Sequence, residues 1–364
     1  GELRKQLGER GHRFRSHHSD TEVLLHGYRE WGEKVVEHLR GMYAFAIWDK
    51  SQSRLVAATD PFGKKPLYYA VIDGGLVFAS ELLSLISHRG VNCEIDRLAL
   101  ARFFAFGFLP QPQTPLKNVA KLGAGRVLKF EAASQRLQVQ RYWQFRISAG
   151  SAGKDWRDLQ SSLSELLEQA VARRLEADVP IGFLLSGGID SALVTSLARR
   201  RLPEVQLRCF TLGFQEPSYD ESEQAGVTAA ALGVEHHVER FSLVDMGEFA
   251  DSVLRRMDEP LADPSLLPTA LLCRFARQHV TVALAGDGAD ELFAGYDTFA
   301  ALPLAEAYSA AVPQVVHRGM LRLANLLPLS DSNLSFDFKL RRALRGLSHE
   351  EALWHAAWLA PVDI

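Results

Sequence analysis

Phe183-Leu184-Leu185-Ser186-Gly187-Gly188-Ile189-Asp190-Ser191 is the stretch that decides how the second half of this chain folds. An apolar run stops at Ser-Gly-Gly, an acid follows two residues later, and Ala192-Leu193-Val194-Thr195-Ser196-Leu197-Ala198 continues in a helical pattern. The reading is a buried strand, a glycine turn and a helix N-terminus. N–H groups in a first helical turn have no intrahelical partners, and the helix dipole favours negative charge beside them. Two glycines let the backbone close around an oxyanion with no Cβ in the way. Ser186 and Ser191 add hydroxyls, and Asp190 is placed to hold a divalent cation against bound phosphates. Such chemistry suits a nucleotide. The Gly-x-x-x-x-Gly-Lys-Ser/Thr of a P-loop is not present, and Ser186 lacks the flanking glycines of a hydrolase nucleophile elbow.

Around this stretch, helical and apolar runs alternate. Helices are expected at Trp156–Ala177, Ala192–Arg201 and Glu221–Leu232, and strands at Ile181–Leu185, Leu207–Gly213 and His237–Phe241. That alternation predicts a parallel, doubly wound sheet. A further buried strand, Val282-Ala283-Leu284-Ala285, runs into Gly286-Asp287-Gly288-Ala289-Asp290-Glu291-Leu292-Phe293-Ala294-Gly295-Tyr296, a second glycine-rich loop with acids at a helix start. Ligands of open parallel sheets sit beyond the carboxyl ends of the strands, so Asp290 is expected near Asp190, where the two could share one magnesium ion. Met257–Ser265, with three acids and two prolines, reads as a rigid loop that could wall the same cleft. From Ala300 onward the pattern is mostly helical.

The first half has a different rhythm. Short β-like runs at Tyr43–Trp48, Arg54–Ala58, Leu67–Val71 and Leu76–Ala79 are separated by turns such as Asp73-Gly74-Gly75. Helices flank them at Thr21–Arg40 and Arg97–Phe106, giving the pattern of a layered domain with antiparallel sheets. Ser148–Gly153 is the clearest linker. At 364 residues and 47% hydrophobic content, two domains with real cores are expected. The net charge of −3 argues against a dedicated nucleic-acid surface, and no run is long and apolar enough for a membrane span. Three distant cysteines, Cys93, Cys209 and Cys273, form neither a disulfide framework nor a zinc pattern; they are expected to be buried, reduced thiols in a cytoplasmic protein. The adjacent His17 and His18 lack a third ligand at metal spacing and read as a polar loop.

Together these motifs resemble the glutamine-hydrolysing asparagine synthetase family. The resemblance rests on Ser186–Ser191 and Gly286–Tyr296 in the second half. In the first it rests on Ser19-Asp20-Thr21-Glu22, Gly41–Asp49, Asp60–Tyr69, Phe78-Ala79-Ser80-Glu81 and Arg141-Tyr142-Trp143. It implies an Ntn-hydrolase-like αββα sandwich over residues 1–146, a linker at 147–156, and a doubly wound ATP-pyrophosphatase domain over 157–364. It also implies the cofactors ATP and Mg2+. Ser186, Gly187, Gly188, Asp190 and Ser191 would hold the triphosphate together with Ala285 and Gly286, and Leu184 and Leu212 would flank the adenine. Asp190 and Asp290 would bind magnesium, and Asp287 stands near the developing adenylate where the best-known members carry glutamate. Ala285 replaces a common serine, removing one phosphate-binding hydroxyl. Asp20 would grip the glutamine α-amino group; as a residue ahead of a helix it also reads as an N-cap.

The expected activity is an ATP-dependent amidotransferase acting on aspartate through an aspartyl-adenylate, with ammonia drawn from glutamine. Three alternatives remain open: a relative amidating or cyclising another carboxylate, an inert nucleotide-binding remnant, and an RNA-modifying pyrophosphatase, which the first-half motifs disfavour. Neither nucleic acid nor membrane is an expected partner, and a homodimer is the assembly considered. The family's nucleophilic cysteine would precede Gly1 and its catalytic lysine would follow Ile364, so the sequence reads as the middle of a longer protein, not expected to hydrolyse glutamine as it stands. Lys339 reads as part of a basic helix face.

Overall fold

The computed structural model describes residues 1–147, 155–328 and 335–360. The expected linker at Ser148–Gly153 lies outside them. The chain divides into two compact units, one of Gly1–Ala149 with Asp258–Leu261, the other of Gly150–Met257 with Ala262–Ile364.

In the first unit, α1 (Glu2–Glu9) and α2 (Asp20–Trp31) precede two antiparallel sheets. One sheet has the order β1-β2-β6-β7, from β1 (Ala44–Asp49), β2 (Arg54–Thr59), β6 (Arg126–Glu131) and β7 (Arg136–Arg141). The other has the order β4-β3-β5, from β3 (Tyr68–Ile72), β4 (Gly75–Ala79) and β5 (Ala120–Lys121). Strand alternation sends Leu55 and Ala57 to one face of β2 and Val56 and Ala58 to the other. Leu55, Ala57, Leu128 and Phe130 meet Leu67, Tyr69 and Leu76 between the sheets. Val56, Ala58 and Val127 pack outward on Leu24, Tyr28 and Val35, while Tyr68 and Ala70 pack outward on Leu82 and Leu85 of α3 (Leu82–Ile86). The layers therefore run helix, sheet, sheet, helix. A further helix, α4 (Arg97–Phe106), is capped by Asp96, which accepts from Leu98 N at 2.9 Å and Ala99 N at 3.2 Å.

The single helix expected over Thr21–Arg40 is broken. α2 ends at Trp31, and a 3-10 turn over Gly32–Glu37 carries the chain on. Gly32 adopts φ +59°, a conformation that glycine enters without strain and that an α-helix cannot continue through.

The second unit opens with α5 (Trp156–Arg174), then alternates β8 (Ile181–Leu184), α6 (Ile189–Arg201), β9 (Arg208–Phe214), α7 (Ser222–Leu232) and β10 (Glu235–Phe241). α8 (Leu243–Leu254) and α9 (Leu266–Ala276) lead to β11 (Val282–Leu284) and α10 (Ala289–Phe293). The helices α11 (Asp297–Ala311), α12 (Gln314–Asn325), α13 (Phe336–Gly346) and α14 (Trp354–Leu359) follow. The four strands are parallel in the order β10-β9-β8-β11. Phe183 at 1% exposure, Leu185 and Phe210 are buried because helices cover both faces, which explains the unbroken apolar reading of β8. Each such side chain contributes about 2–3 kcal/mol on burial. Of the three thiols only Cys209 is buried; Cys93 and Cys273 are exposed, which corrects the expectation for two of them. Each sits on a stretch with one face open to solvent. Among the described residues, no helix is long and apolar enough to cross a membrane.

Candidate functional site

The strand order places a switch point between β8 and β11. The chain moves from β8 through β9 to β10, then returns to the far side of β8 as β11. In open α/β sheets, crevices form where successive strands diverge in this way. Leu284 pairs with Phe183, so the loops after β8 and β11 leave the same edge of the sheet side by side.

The first loop is organised by its serines. Ser186 N donates to Ser191 Oγ at 3.1 Å, Gly188 N donates to Ser186 Oγ at 3.1 Å, and the two hydroxyls lie 3.0 Å apart. Ser191 is buried and serves as an internal strut, while Gly188, the N-cap of α6, offers no side-chain cap. α6 begins at Ile189, three residues earlier than the apolar pattern suggested, so Asp190 lies in its first turn. Leu184 and Leu212, at the carboxyl ends of β8 and β9, are both half-buried.

The second loop touches the first. A Cβ on Gly286 would stand 2.8 Å from Asp190 Cβ and 2.8 Å from Ser191 N. Asp290 lies in the first turn of α10, and its charge reaches Asp190. Partial burial, then Asp290, raises the Asp190 carboxyl above its ordinary value. Ala285 is half-buried and Asp287 exposed; Asp287 adds to burial in raising the Cys273 thiol. Asp190, Asp290 and Gly286 thus meet. The pair of carboxylates is the hard-oxygen donor set that Mg2+ prefers, and an unneutralised acid pair is what a cation would relieve. No group of three or more His, Cys, Asp or Glu among the described residues could hold a metal ion, so phosphate and water oxygens would complete the shell. His17 and His18 are exposed.

In the first unit, a cavity of about 610 Å³ is lined by Arg4, Asp20, Thr21, Leu24, Arg40, Tyr43 and neighbouring residues. Ser19, not Asp20, is the N-cap of α2, accepting from Glu22 N at 3.3 Å. Asp20 is the first helical residue, its carboxylate exposed at the cavity wall. The capping role read for Asp20 therefore belongs to its neighbour.

Two acids that stand in the first-half motifs, Glu22 and Asp60, have supporting roles that their sequence neighbours do not reveal. Glu22 accepts from Arg15 N at 2.6 Å and Ser16 N at 2.8 Å, and these bonds hold its carboxyl at about 2. Asp60, 1% exposed, accepts from the backbone N–H groups of Tyr43, Phe62, Lys64 and Lys65 at 3.0–3.2 Å. Asp60-Pro61-Phe62-Gly63, an acid ahead of Pro and Gly, was the available turn signal.

The Met257–Ser265 loop is divided between the units, Asp258–Leu261 belonging to the first and Met257 and Ala262–Ser265 to the second. Asp258 accepts from Leu82 N at 2.9 Å and Leu83 N at 3.1 Å, and Glu259 pairs with Lys121 at 2.5 Å. Asp258 and Glu259 are thereby used within the first unit, while in the second the Tyr296 hydroxyl is raised first by its bond to Glu291 and also by the charges of Asp290 and Asp263.

Two family models match the chain: asparagine synthase over residues 162–360 and a glutamine amidotransferase domain over residues 1–143. The chain belongs to the asparagine synthase family. A putative asparagine synthetase (glutamine-hydrolyzing) of Mycobacterium tuberculosis is 36% identical over 331 residues, 90% of this chain and 50% of that protein. Asparagine synthetase (glutamine-hydrolyzing) 1 of Bacillus subtilis is 36% identical over 327 residues, with the same coverage of 90% and 50%. Amidase chyE of Penicillium rubens is 29% identical over 318 residues, covering 79% of this chain and 44% of the amidase. This asparagine synthase family chain spans about half the length of these curated relatives.

Proposed function

We propose that the chain carries the ATP site and the glutamine-binding wall of an amidotransferase that activates a carboxylate as an acyl-adenylate. The observation that carries this is the meeting of Gly286 with Asp190 at the switch point, with Asp290 close enough to raise the Asp190 carboxyl. The loop N–H groups and the Ser186 hydroxyl would face the phosphates, with Ser191 bracing the turn behind them and Gly187, Gly188 and Gly286 leaving room. Ala285 supplies no hydroxyl, so the first loop would carry the serine contacts. Leu184 and Leu212 offer apolar edges to a planar base.

Magnesium bound between Asp190 and Asp290 would offset charge on the departing pyrophosphate. The chain's own contribution is preorganisation: the serine hydroxyls hold the loop N–H groups in place at 3.0–3.1 Å, and rotation of those hydroxyls is enough to turn the donors over to a phosphate as charge develops. Asp287, exposed beyond the strand end, would stand beside the adenylate. In the first unit, Asp20 would pair with the ammonium group of glutamine, and ammonia released there would be the nucleophile that forms the amide.

Aspartate is the proposed carboxylate, supported by the names of the 36% identical relatives. Pyrophosphate exchange into ATP tests this: exchange should require magnesium and rise on addition of aspartate. A second reading, a different carboxylate on the same scaffold, is favoured by the amidase from Penicillium. Exchange driven by another carboxylate and not by aspartate would select it.

A further inference from the structure

Three N–H groups of the Ser186–Ser191 loop, those of Ser186, Gly187 and Gly188, are already engaged. Ser186 N and Gly188 N donate to the hydroxyls of Ser191 and Ser186, neutral groups that can rotate and pair anew. Gly187 N is different. It donates to Oε2 of Glu221 at 3.0 Å, a carboxylate brought in from 34 residues further along the chain. Glu221 stands at the N-cap of α7 but caps nothing with its side chain. Among the described residues no lysine or arginine pairs with it. The contact is close-packed: a Cβ at Gly187 would lie 3.3 Å from both Glu221 Cβ and Oε2. An exposed carboxylate with one hydrogen bond, held on the middle N–H of an anion-binding loop, sits where an oxyanion would sit.

We propose that Glu221 is a placeholder for nucleotide phosphate, filling the oxyanion position at Gly187 N and having to leave before a triphosphate enters. The inference rests on the ATP reading of this loop and deepens it. Retaining Glu221 would set two anions against one N–H, beside Asp190 and Asp290. The free loop is thereby held in its binding geometry without a ligand, and affinity is set by the exchange of one anion for another. Rotation of the Glu221 side chain would release Gly187 N without moving the backbone of either element.

Calorimetric titration of the chain with MgATP, and separately with magnesium pyrophosphate, tests this on the wild type, Glu221→Gln and Glu221→Ala. Both variants lose the competing charge, and the amide of Glu221→Gln still offers Gly187 N a neutral acceptor. Both should bind both probes about tenfold more tightly than wild type, the size of one charge-assisted hydrogen bond no longer displaced. Weaker binding by Glu221→Ala with wild-type binding by Glu221→Gln would make the side chain a scaffold and overturn the proposal. Weaker binding by both, recovered at higher magnesium, would make it a metal ligand and overturn it equally. Unchanged affinity in both variants overturns this inference alone. A wild type that binds neither probe overturns the ATP reading and the inference with it.

Discussion

Gly286 approaches Asp190 so closely that a single methyl group would collide with it: a Cβ would stand 2.8 Å from Asp190 Cβ and 2.9 Å from the Asp190 carbonyl carbon. Two loops from parallel strands are thus locked backbone to backbone. Gly286→Ala must push them apart, at about 1–3 kcal/mol in stability, with a matching loss of MgATP affinity. Gly288→Ala is the comparison, since at φ +93° it meets no atom within 4 Å and adds only backbone strain of about 1 kcal/mol. Thermal melts and titration calorimetry on the two variants should separate collision from strain.

Acid pH should weaken magnesium binding earlier than an ordinary carboxylate would. The Asp190 carboxyl is raised by burial and by Asp290, so it takes up a proton at a pH above the usual aspartate range. It holds its proton more tightly than an ordinary aspartate, and a cation must compete with that proton. MgATP affinity is therefore fully present above the raised value and falls as pH drops through it. Asp290→Asn removes the neighbouring charge and should move this fall to lower pH. Affinity measured between pH 4 and 7 in both proteins, with the same profile in each, would contradict the coupling.

Asp20 and Ser19 should behave as opposites. Ser19 caps α2, so Ser19→Ala should destabilise the first unit by about 1 kcal/mol. Asp20 caps nothing and faces the 610 Å³ cavity, so Asp20→Asn should leave the melting temperature within a degree or two. Glutamine binding should fall at least tenfold in Asp20→Asn and remain in Ser19→Ala, measured by calorimetry on the longest form that binds glutamine.

The Lys121–Glu259 pair is largely but not fully buried, with side-chain exposures of 14% and 15%. Desolvation raises the Glu259 carboxyl even with Lys121 beside it, so the pair does not fully offset its own burial. Lys121→Met should strand the carboxylate and destabilise the first unit by about 3 kcal/mol. The double variant Lys121→Met with Glu259→Leu should recover most of that loss. Since the Glu259 value is raised, the Lys121→Met defect should shrink as pH falls and grow as it rises through that value. Denaturant titrations at two pH values check both statements.

What could be read from the sequence was what is local. Ser186–Ser191 and Gly286–Tyr296 are contiguous strand–loop–helix signals, and alternation of helices with apolar runs gave the parallel sheet that brings them together. Boundaries set by single residues were less visible. α6 starts at Ile189 because the turn needs only Gly187 and Gly188, and α2 stops where Gly32 takes a positive φ. Contacts between distant residues were not visible at all. Glu221 on Gly187 N spans 34 positions, and Asp258 on Leu82 N spans 176, with no periodicity linking either pair. Acids in such loops look alike in sequence; only the fold shows which one caps a helix, which one fills an anion site and which one faces a ligand.

The central claim is that the switch point between β8 and β11 is a magnesium–nucleotide site. Calorimetric titration of the chain with ATP, with and without magnesium, tests it most directly when repeated on the Asp190→Asn, Asp290→Asn double variant. Binding should be saturable, fit one site, need magnesium and be lost in the double variant. Equal binding by both proteins, or none by the wild type, would contradict it.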